Sequence, residues 1–334
     1  MSMNRTVRLV KRPAPGLVSP DCFEIRDEPV TEPGEGEFRV RADYVSLDPA
    51  MRGWVNEGKS YVPPVALGDV MRAFSAGTVE ASNHPEFREG DKVVGLFGVQ
   101  THAISDGRGV QRVDTAIAPL QSWIGGLGMP GLTAYFGLLR VGEAKAGDTV
   151  VVSAASGAVG SLVGQIAKLK GCRAVGIAGG PDKCRALIEE DGFDAAVDYK
   201  AGDLGAQLDR ACPDGIDVDF ENVGGDILDT ILPRMNPFGR IAVCGLISAY
   251  TATSVPPGPV NLRYVLTQRL KMQGFIVFDF ARDNAVALAD LGAWVKEGKL
   301  KLREDVREGG VDAFAETLNL LYTGGNFGKL SLKV

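Results

Sequence analysis

The sequence predicts an α/β protein of two domains, one built on a doubly wound parallel sheet and the other mostly β. Three observations lead there. From Gly126 onward, apolar strand-like runs alternate with helix-period segments, whereas the preceding residues carry only short β-type runs broken by Gly, Pro and Asp. One apolar run, Thr149 to Ser153, opens directly into a small-residue turn and an amphipathic helix. The length of 334 residues is about twice the ~150 that suit a single domain.

Taken in chain order, Glu37 to Tyr44, Gly77 to Glu80 and Asp91 to Phe97 read as strands, separated by turns such as EPGEGE and REGD. TVVVS (149–153) is a strand and Ala158 to Lys170 a helix; RAVGIA (173–178) is a strand and Pro181 to Asp191 a helix. AAVDY (195–199), IDVDFE (216–221), RIAVCG (240–245) and MQGFIVF (272–278) supply four more strands. Helices are expected at Ala285 to Glu297 and Val311 to Tyr322, and a last strand at Lys329 to Val334.

Composition narrows the function classes. Apolar residues at 45% and charged residues at 23% describe a globular chain rather than a disordered or fibrous one. Thirty-six Lys and Arg against 42 Asp and Glu leave a net charge of −6, and no basic run stands out, which argues against nucleic acid or an anionic membrane as partner. Five cysteines (Cys22, Cys172, Cys184, Cys212, Cys244) without a Cys-x-x-Cys suggest neither a disulfide framework nor a thiolate zinc knuckle, and a reducing cytoplasm is the expected location. The N-terminus lacks the apolar core of a secretory signal. Uncharged stretches at 115–139, 149–167 and 241–262 are interrupted by Pro, Gly and Ser, so they read as the lining of a ligand cleft rather than as membrane spans.

The segment TVVVSAASGAVGSLVGQIAKLKG sets a buried strand before a tight turn and a helix, where a dinucleotide pyrophosphate meets backbone N–H donors and the favourable end of a helix dipole. In the Gly-x-Gly-x-x-Gly register the positions are Ala155, Gly157 and Gly160, so a small residue replaces the first glycine. The consecutive βα units around it favour a cofactor turn over an ordinary glycine-rich one. At the end of the next strand, NAD binders place a carboxylate for the ribose 2′-OH. Here Ala178, Gly179 and Gly180 follow, with Lys183 three residues on and Asp182 in the first helical turn as a dipole cap. No acid repels a 2′-phosphate, so NADPH is the expected cofactor; read alone, Lys183 fits a solvated helix-face lysine better than a phosphate contact.

Together, SLDPAMRGW, LGDVMRAFSAG, GMPGLTAYFGLL, AASGAVGSLVGQIAKLKGC, FENVGG, FGRIAVCGLIS and NFGKLSLKV resemble the zinc-independent medium-chain dehydrogenase/reductase superfamily. Within it, the chain is similar to the prostaglandin reductase (leukotriene B4 12-hydroxydehydrogenase) and NADPH-dependent alkenal/one double-bond reductase branch. The resemblance implies a GroES-like substrate domain over residues 1–125, completed by 298–334, and a Rossmann NADPH domain over 126–297. It implies cofactor contacts at Ala155, Ser156, Gly157, Ala158, Val159 and Gly160 for the pyrophosphate, and at Lys183 and Tyr199 near the 2′-phosphate and ribose. It further implies Asn222, then Cys244, Gly245, Leu246, Ile247 and Ser248 with Phe275, Ile276 and Val277 on the nicotinamide side, and Asn326 from the tail. Asn222 ends a strand where such sheets bind ligands; Phe275 and Ile276 are equally readable as core, and Tyr199 as a half-buried strand-end aromatic.

A catalytic zinc needs three protein ligands, and the segments that supply Cys and His in zinc-bearing relatives read SLDPAMRG and LGDVMR here. Only His84 and His102 occur; His84 in SNHPEF reads as exposed and His102 as a hydrogen-bonded structural residue. A metal-free hydride acceptor fits an enone or enal, reduced at the β-carbon while charge collects on the carbonyl oxygen as an enolate. The donor candidates for that oxygen are Tyr61 in GKSYVPP and Tyr264 in NLRYVL, with Thr267 standing where the family's tyrosine would align. A quinone reductase and a non-catalytic NADPH-binding scaffold are the rival functions. A homodimer is what the resemblance implies.

Overall fold

The computed structural model describes residues 2–334, which divide into two compact units: 2–125 with Glu304–Val334, and Gly126–Arg303. In the first unit, β1 (Met3–Leu9) and β2 (Phe23–Pro29) form an antiparallel ribbon. β3 (Phe38–Ser46), the short helix α1 (Met51–Trp54), β4 (Ser75–Ser82), β5 (Lys92–Gly95), β6 (His102–Ser105) and β7 (Gln111–Arg112) follow. Gly77 sits where β3 and β4 come closest: a Cβ there would run into the Arg41 carbonyl oxygen and Val40.

The second unit holds α2 (Met129–Phe136), β8 (Thr149–Val152), α3 (Gly160–Leu169), β9 (Arg173–Ala178), α4 (Pro181–Glu189), β10 (Ala195–Asp198) and α5 (Leu204–Ala211). It continues through β11 (Ile216–Glu221), α6 (Gly225–Ile231), β12 (Met235–Val243), α7 (Ile247–Tyr250), α8 (Arg263–Thr267), β13 (Lys271–Gly274) and α9 (Asn284–Lys296). Its six strands are parallel in the order β10-β9-β8-β11-β12-β13, the doubly wound arrangement whose strand order reverses between β8 and β11. β8 is buried at every position and β9 at all but Arg173, as expected for strands covered on both faces. The chain then returns to the first unit as β14 (Glu304–Arg307), α10 (Phe314–Thr323) and β15 (Lys329–Lys333). These complete a sheet of order β14-β15-β3-β4-β5-β7, with β6 on β3. Tail residues Val311, Phe314, Leu318, Leu330 and Leu332 share one core with Val7, Leu47 and Met71, so the first unit is incomplete without them.

Three expectations change. The return to the first unit falls at Glu304 rather than at 298, because residues up to 303 stay tied to the second unit. Gln165 exchanges hydrogen bonds with the Lys301 backbone (3.1 and 2.8 Å), and Arg303 pairs with Glu190 and Asp191 (2.8 Å each). The strand expected over 272–278 stops at Gly274: the Asp279 carboxylate accepts from Ile276 N–H (3.0 Å) and starts a 3-10 turn over Val277–Asp283. His84 is half-buried, its ring edge-on to Phe38 and Phe87, and its Nδ1 accepts from Glu86 N–H (3.0 Å). Among the described residues no helix is long and apolar enough to cross a membrane.

Candidate active site

The glycine turn after β8 is shaped by sterics that the sequence only hinted at. Ala154 takes φ +48°, a left-handed conformation rare outside glycine, and Ala155 N–H is tied to Ile177 O (3.0 Å). Ala155 lies over Gly176, where an added Cβ would come within 2.8 Å of its methyl group. Gly160 opens α3 against the same turn: a Cβ there would strike the Ala154 carbonyl oxygen and lie 2.8 Å from Ala155 Cα. Among the described residues no side chain caps α3; Ser161 N–H donates to Gly157 O (3.1 Å) and Leu162 and Val163 N–H to Val159 O (3.1 and 3.0 Å), so any anion here meets the amides of the turn and the helix dipole. These constraints gather Ala155, Ser156, Gly157, Ala158, Val159 and Gly160 into one small-residue cradle that fits a pyrophosphate.

At the end of β9, Gly179 and Gly180 (φ +97°) leave a niche before Pro181 starts α4. A Cβ on Gly179 would lie 2.9 Å from the Tyr199 hydroxyl and 2.9 Å from Lys200 Cε, so both side chains close over this glycine. The carboxylate at the end of the neighbouring strand β10, Asp198, is turned inward: its Oδ1 accepts from Gly180 N–H (2.8 Å) and Lys200 N–H (2.9 Å), while Asp182 in the first turn of α4 pairs with Arg185 (2.7 Å). Lys183 is half-buried one turn into α4. The niche thus offers a phenol hydroxyl and the Lys200 side chain, with Lys183 in the first turn of the helix that follows, a donor set that suits a phosphate. Lys200 escaped the sequence reading; its position next to a strand-end tyrosine was the available signal.

β11 ends in Glu221, fully buried, whose Oε1 accepts from the Ser153 hydroxyl (2.5 Å), Val223 N–H (2.5 Å) and Gly224 N–H (2.9 Å). Asn222 donates its side-chain N–H to Ser153 O (2.7 Å) and its backbone N–H to Ser153 Oγ (2.7 Å). Cys244 and Gly245 donate to Glu221 O, and Ile247 to Asn222 O, so the Cys244, Gly245, Leu246, Ile247 and Ser248 segment lies beside Asn222. These bonds bring the ends of β8, β11 and β12 together at the carboxyl edge of the sheet, next to the point where strand order reverses. Burial, with the Glu221 charge adding to it, pushes the Cys244 thiol up to about 12, so it stays neutral.

A family model described as the N-terminal domain of oxidoreductases matches residues 5–113, and one described as a zinc-binding dehydrogenase matches residues 158–292. The chain is 46% identical to an NADPH-dependent curcumin reductase of Escherichia coli (strain K12), covering 99% of this chain and 97% of that protein. It is 41% identical to prostaglandin reductase 1 of Rattus norvegicus, covering 97% of each. The chain is a member of the zinc-independent medium-chain dehydrogenases/reductases, in the prostaglandin reductase branch. A crystal structure of CurA in complex with NADPH from Vibrio vulnificus superposes with a TM-score of 0.93 at 43% identity, covering 99% of each chain. Among the described residues of this medium-chain reductase, no group of three His, Cys, Asp or Glu side chains is arranged to hold a metal ion.

Within the reductase, the expected tyrosines separate. Tyr264 lies on α8, which leads into β13 and packs beside the 3-10 turn Leu232–Arg234 that leads into β12, at the amino-terminal edge of the sheet; its ring packs on the core that holds Leu232 and Met235. Its hydroxyl accepts from Arg263 (3.2 Å), whose guanidinium covers the ring at 4.9 Å. That edge is opposite the carboxyl ends of β11 and β12, so Tyr264 is withdrawn as the oxyanion donor. Tyr250, which the sequence reading passed over, ends α7 beside Cys244–Ser248: its hydroxyl accepts from Leu246 N–H (3.4 Å) and would lie 3.3 Å from a Cβ on Gly245. Tyr61 is half-exposed in the loop between α1 and β4 of the first unit.

Phe275 turns into the core, edge-on to Phe220 (6.2 Å) and Phe280 (6.4 Å), and Val277 packs with Phe280 against Phe136 and Ala287. Of the two residues that read equally as core, Phe275 is buried and Ile276 half-buried. Asn326, in the turn before β15, donates to Gly328 O (3.0 Å). His102 is held by Thr101 Oγ1 at Nδ1 (3.0 Å) and lies 3.5 Å from Glu80; burial lowers its basicity, and its role is structural.

Proposed function

We propose that this protein reduces the carbon–carbon double bond of α,β-unsaturated ketones and aldehydes with NADPH, without a metal. The observation that carries the cofactor choice is the Gly179–Gly180 niche, closed by Tyr199 and Lys200 and with Asp198 spent on backbone amides. Membership of the prostaglandin reductase branch over the whole chain supports the reaction class.

When bound, NADPH supplies the hydride that adds to the substrate β-carbon. The Ala155–Gly160 cradle and the α3 N-terminus bind its pyrophosphate, and Lys183, Tyr199 and Lys200 its 2′-phosphate. Asn222 and the Cys244–Ser248 segment orient the nicotinamide end. The chain's remaining task is to stabilise the enolate oxygen and to protonate the α-carbon, which closes the balance to saturated carbonyl and NADP+. Tyr250 takes over the donor role from Tyr264 by its place beside Cys244–Ser248; Tyr61 is the other tyrosine whose replacement by Phe tests the role.

The protein acts as a homodimer in the cytoplasm. β13 is an edge strand exposed along its length, and Phe238, Leu266 and Met272 add exposed apolar surface near it, the setting for antiparallel pairing with a second copy. All five cysteines are free, as a reducing compartment keeps them. The deciding experiment is NADPH oxidation against a panel of enones, enals, quinones and saturated ketones. Turnover confined to enones and enals supports the reading; a preference for quinones overturns it in favour of a quinone reductase.

A further inference from the structure

Glu221 is tied into three segments at once. Through one carboxylate oxygen and its own carbonyl it joins Ser153 at the end of β8, the Asn222–Gly224 turn after β11, and Cys244 and Gly245 after β12. The Ser153 hydroxyl accepts from Asn222 N–H and, with its single proton, lies closer to Glu221 Oε1 (2.5 Å) than to its other acceptor, Phe220 O (3.5 Å). A hydroxyl and two amides thus converge on Oε1, donors that favour the charged form, while Oε2 is buried without a partner among the described residues. None of these partners is a cation.

Two positions earlier on the same face of β11 lies Asp219, also fully buried, with neither carboxyl oxygen hydrogen-bonded among the described residues. Burial raises both acids, but only Glu221 has donors that oppose the rise, while a charge on Glu221 further disfavours one on Asp219. Of the two, Glu221 is the carboxyl whose donors favour the charged form, and Asp219 the one whose surroundings favour keeping its proton. The floor of the crevice then holds one negative charge balanced only by dipoles.

The nicotinamide ring is neutral when reduced and positively charged when oxidised. We propose that Glu221 is a positioning residue whose buried, cation-free carboxylate favours the oxidised, positively charged nicotinamide over the reduced one at the ends of β11 and β12. It thereby makes the bound cofactor a readier hydride donor. The inference rests on the nicotinamide placement given under the proposed function.

The test measures dissociation constants of NADPH and NADP+ by fluorescence and calorimetric titration, without turnover. Glu221→Gln keeps the side-chain shape and removes the charge, so it should weaken NADP+ relative to NADPH by about tenfold, the scale of one poorly screened charge. Equal loss for both nucleotides would make Glu221 merely structural and overturn the proposal. Asp219→Asn gives a second reading that does not depend on the Gln variant folding. With Asp219 neutral, the NADP+ to NADPH ratio should stay within about twofold of wild type; a fivefold or larger change would put the charge on Asp219 and overturn the assignment. Asn222→Ala separates the two levels. If it weakens both nucleotides while Glu221→Gln leaves their ratio unchanged, the placement stands and the charge proposal fails; if it weakens neither, the placement itself fails.

Discussion

Replacing Glu304 with Gln should make the first unit's stability much less sensitive to pH. Glu304 opens β14 opposite Lys329 on β15, and a Cβ on Gly125 would lie 3.1 Å from its Oε1. Neither carboxyl oxygen has a hydrogen-bond partner among the described residues. The Lys329 ammonium is committed elsewhere, to Asp48 (2.9 Å) and Leu47 O (2.8 Å), while Asp48 also accepts from the Ser46 hydroxyl (2.5 Å). Burial therefore pushes the Glu304 carboxyl from an ordinary 4.5 up to about 7, offset only in part by the nearby Ser122 hydroxyl and Lys329 charge. Because the folded value lies above the unfolded one, the stabilisation is complete below 4.5, declines as pH rises, and is gone once pH passes about 7. At ~1.4 kcal/mol per pH decade the full swing is about 3 kcal/mol, of which about 2.5 kcal/mol falls between roughly pH 5 and pH 8. Denaturant unfolding followed by Trp54 and Trp123 fluorescence, with hydrogen exchange of the β14–β15 amides, measures it. The stability difference between Glu304→Gln and wild type should move in the variant's favour by that amount across the window. A difference constant to within about 0.5 kcal/mol would refute a buried, protonated Glu304.

Lys183→Ala, and to a smaller degree Tyr199→Phe, should raise KM for NADPH and leave NADH nearly unchanged; equal losses with both nucleotides would make the niche structural. Tyr250→Phe should lower kcat by ~10²-fold with NADPH affinity held within about twofold, the pattern of an interaction made mainly in the transition state. Tyr264→Phe should leave kcat unchanged, and a comparable loss there would return the donor to α8. Gly160→Ala should abolish tight NADPH binding, since the added methyl group meets the Ala154 carbonyl; titration of the purified variant checks it.

Much of the second unit was legible because its signals are local. β9 and β11 fall on the residues read from their apolar runs, and α3, α4 and α9 within a few residues of the helices expected. The N-terminal ribbon of β1 and β2 went unread: its outward positions on β2 are polar, so it lacks the apolar alternation of a half-buried strand. The strand expected to Phe278 failed for a different reason. MQGFIVF is apolar throughout, and periodicity in such a run cannot separate a strand from core-packed turn residues; the Asp279 cap, three residues beyond Ile276, ended it.

The sequence by itself determined the order of βα units, the glycine demand at Gly160 and the absence of an acid directly after β9. Strand periodicity, turn sterics and side-chain size act within a few residues, so the chain carries them wherever it goes. Only the tertiary structure decided which groups meet. It turned Asp198 onto backbone amides and brought Lys200 over Gly179. It sent Tyr264 to one edge of the sheet and Tyr250 to the other, though each follows β12 by only a short stretch of chain. Glu221 gathers Ser153 from 68 positions away, and Glu304 lies against Gly125, contacts that exist only once the crossovers have stacked the strands in their final order. Protonation follows from such encounters, because a carboxyl's charge depends on the donors and the water that the fold leaves around it.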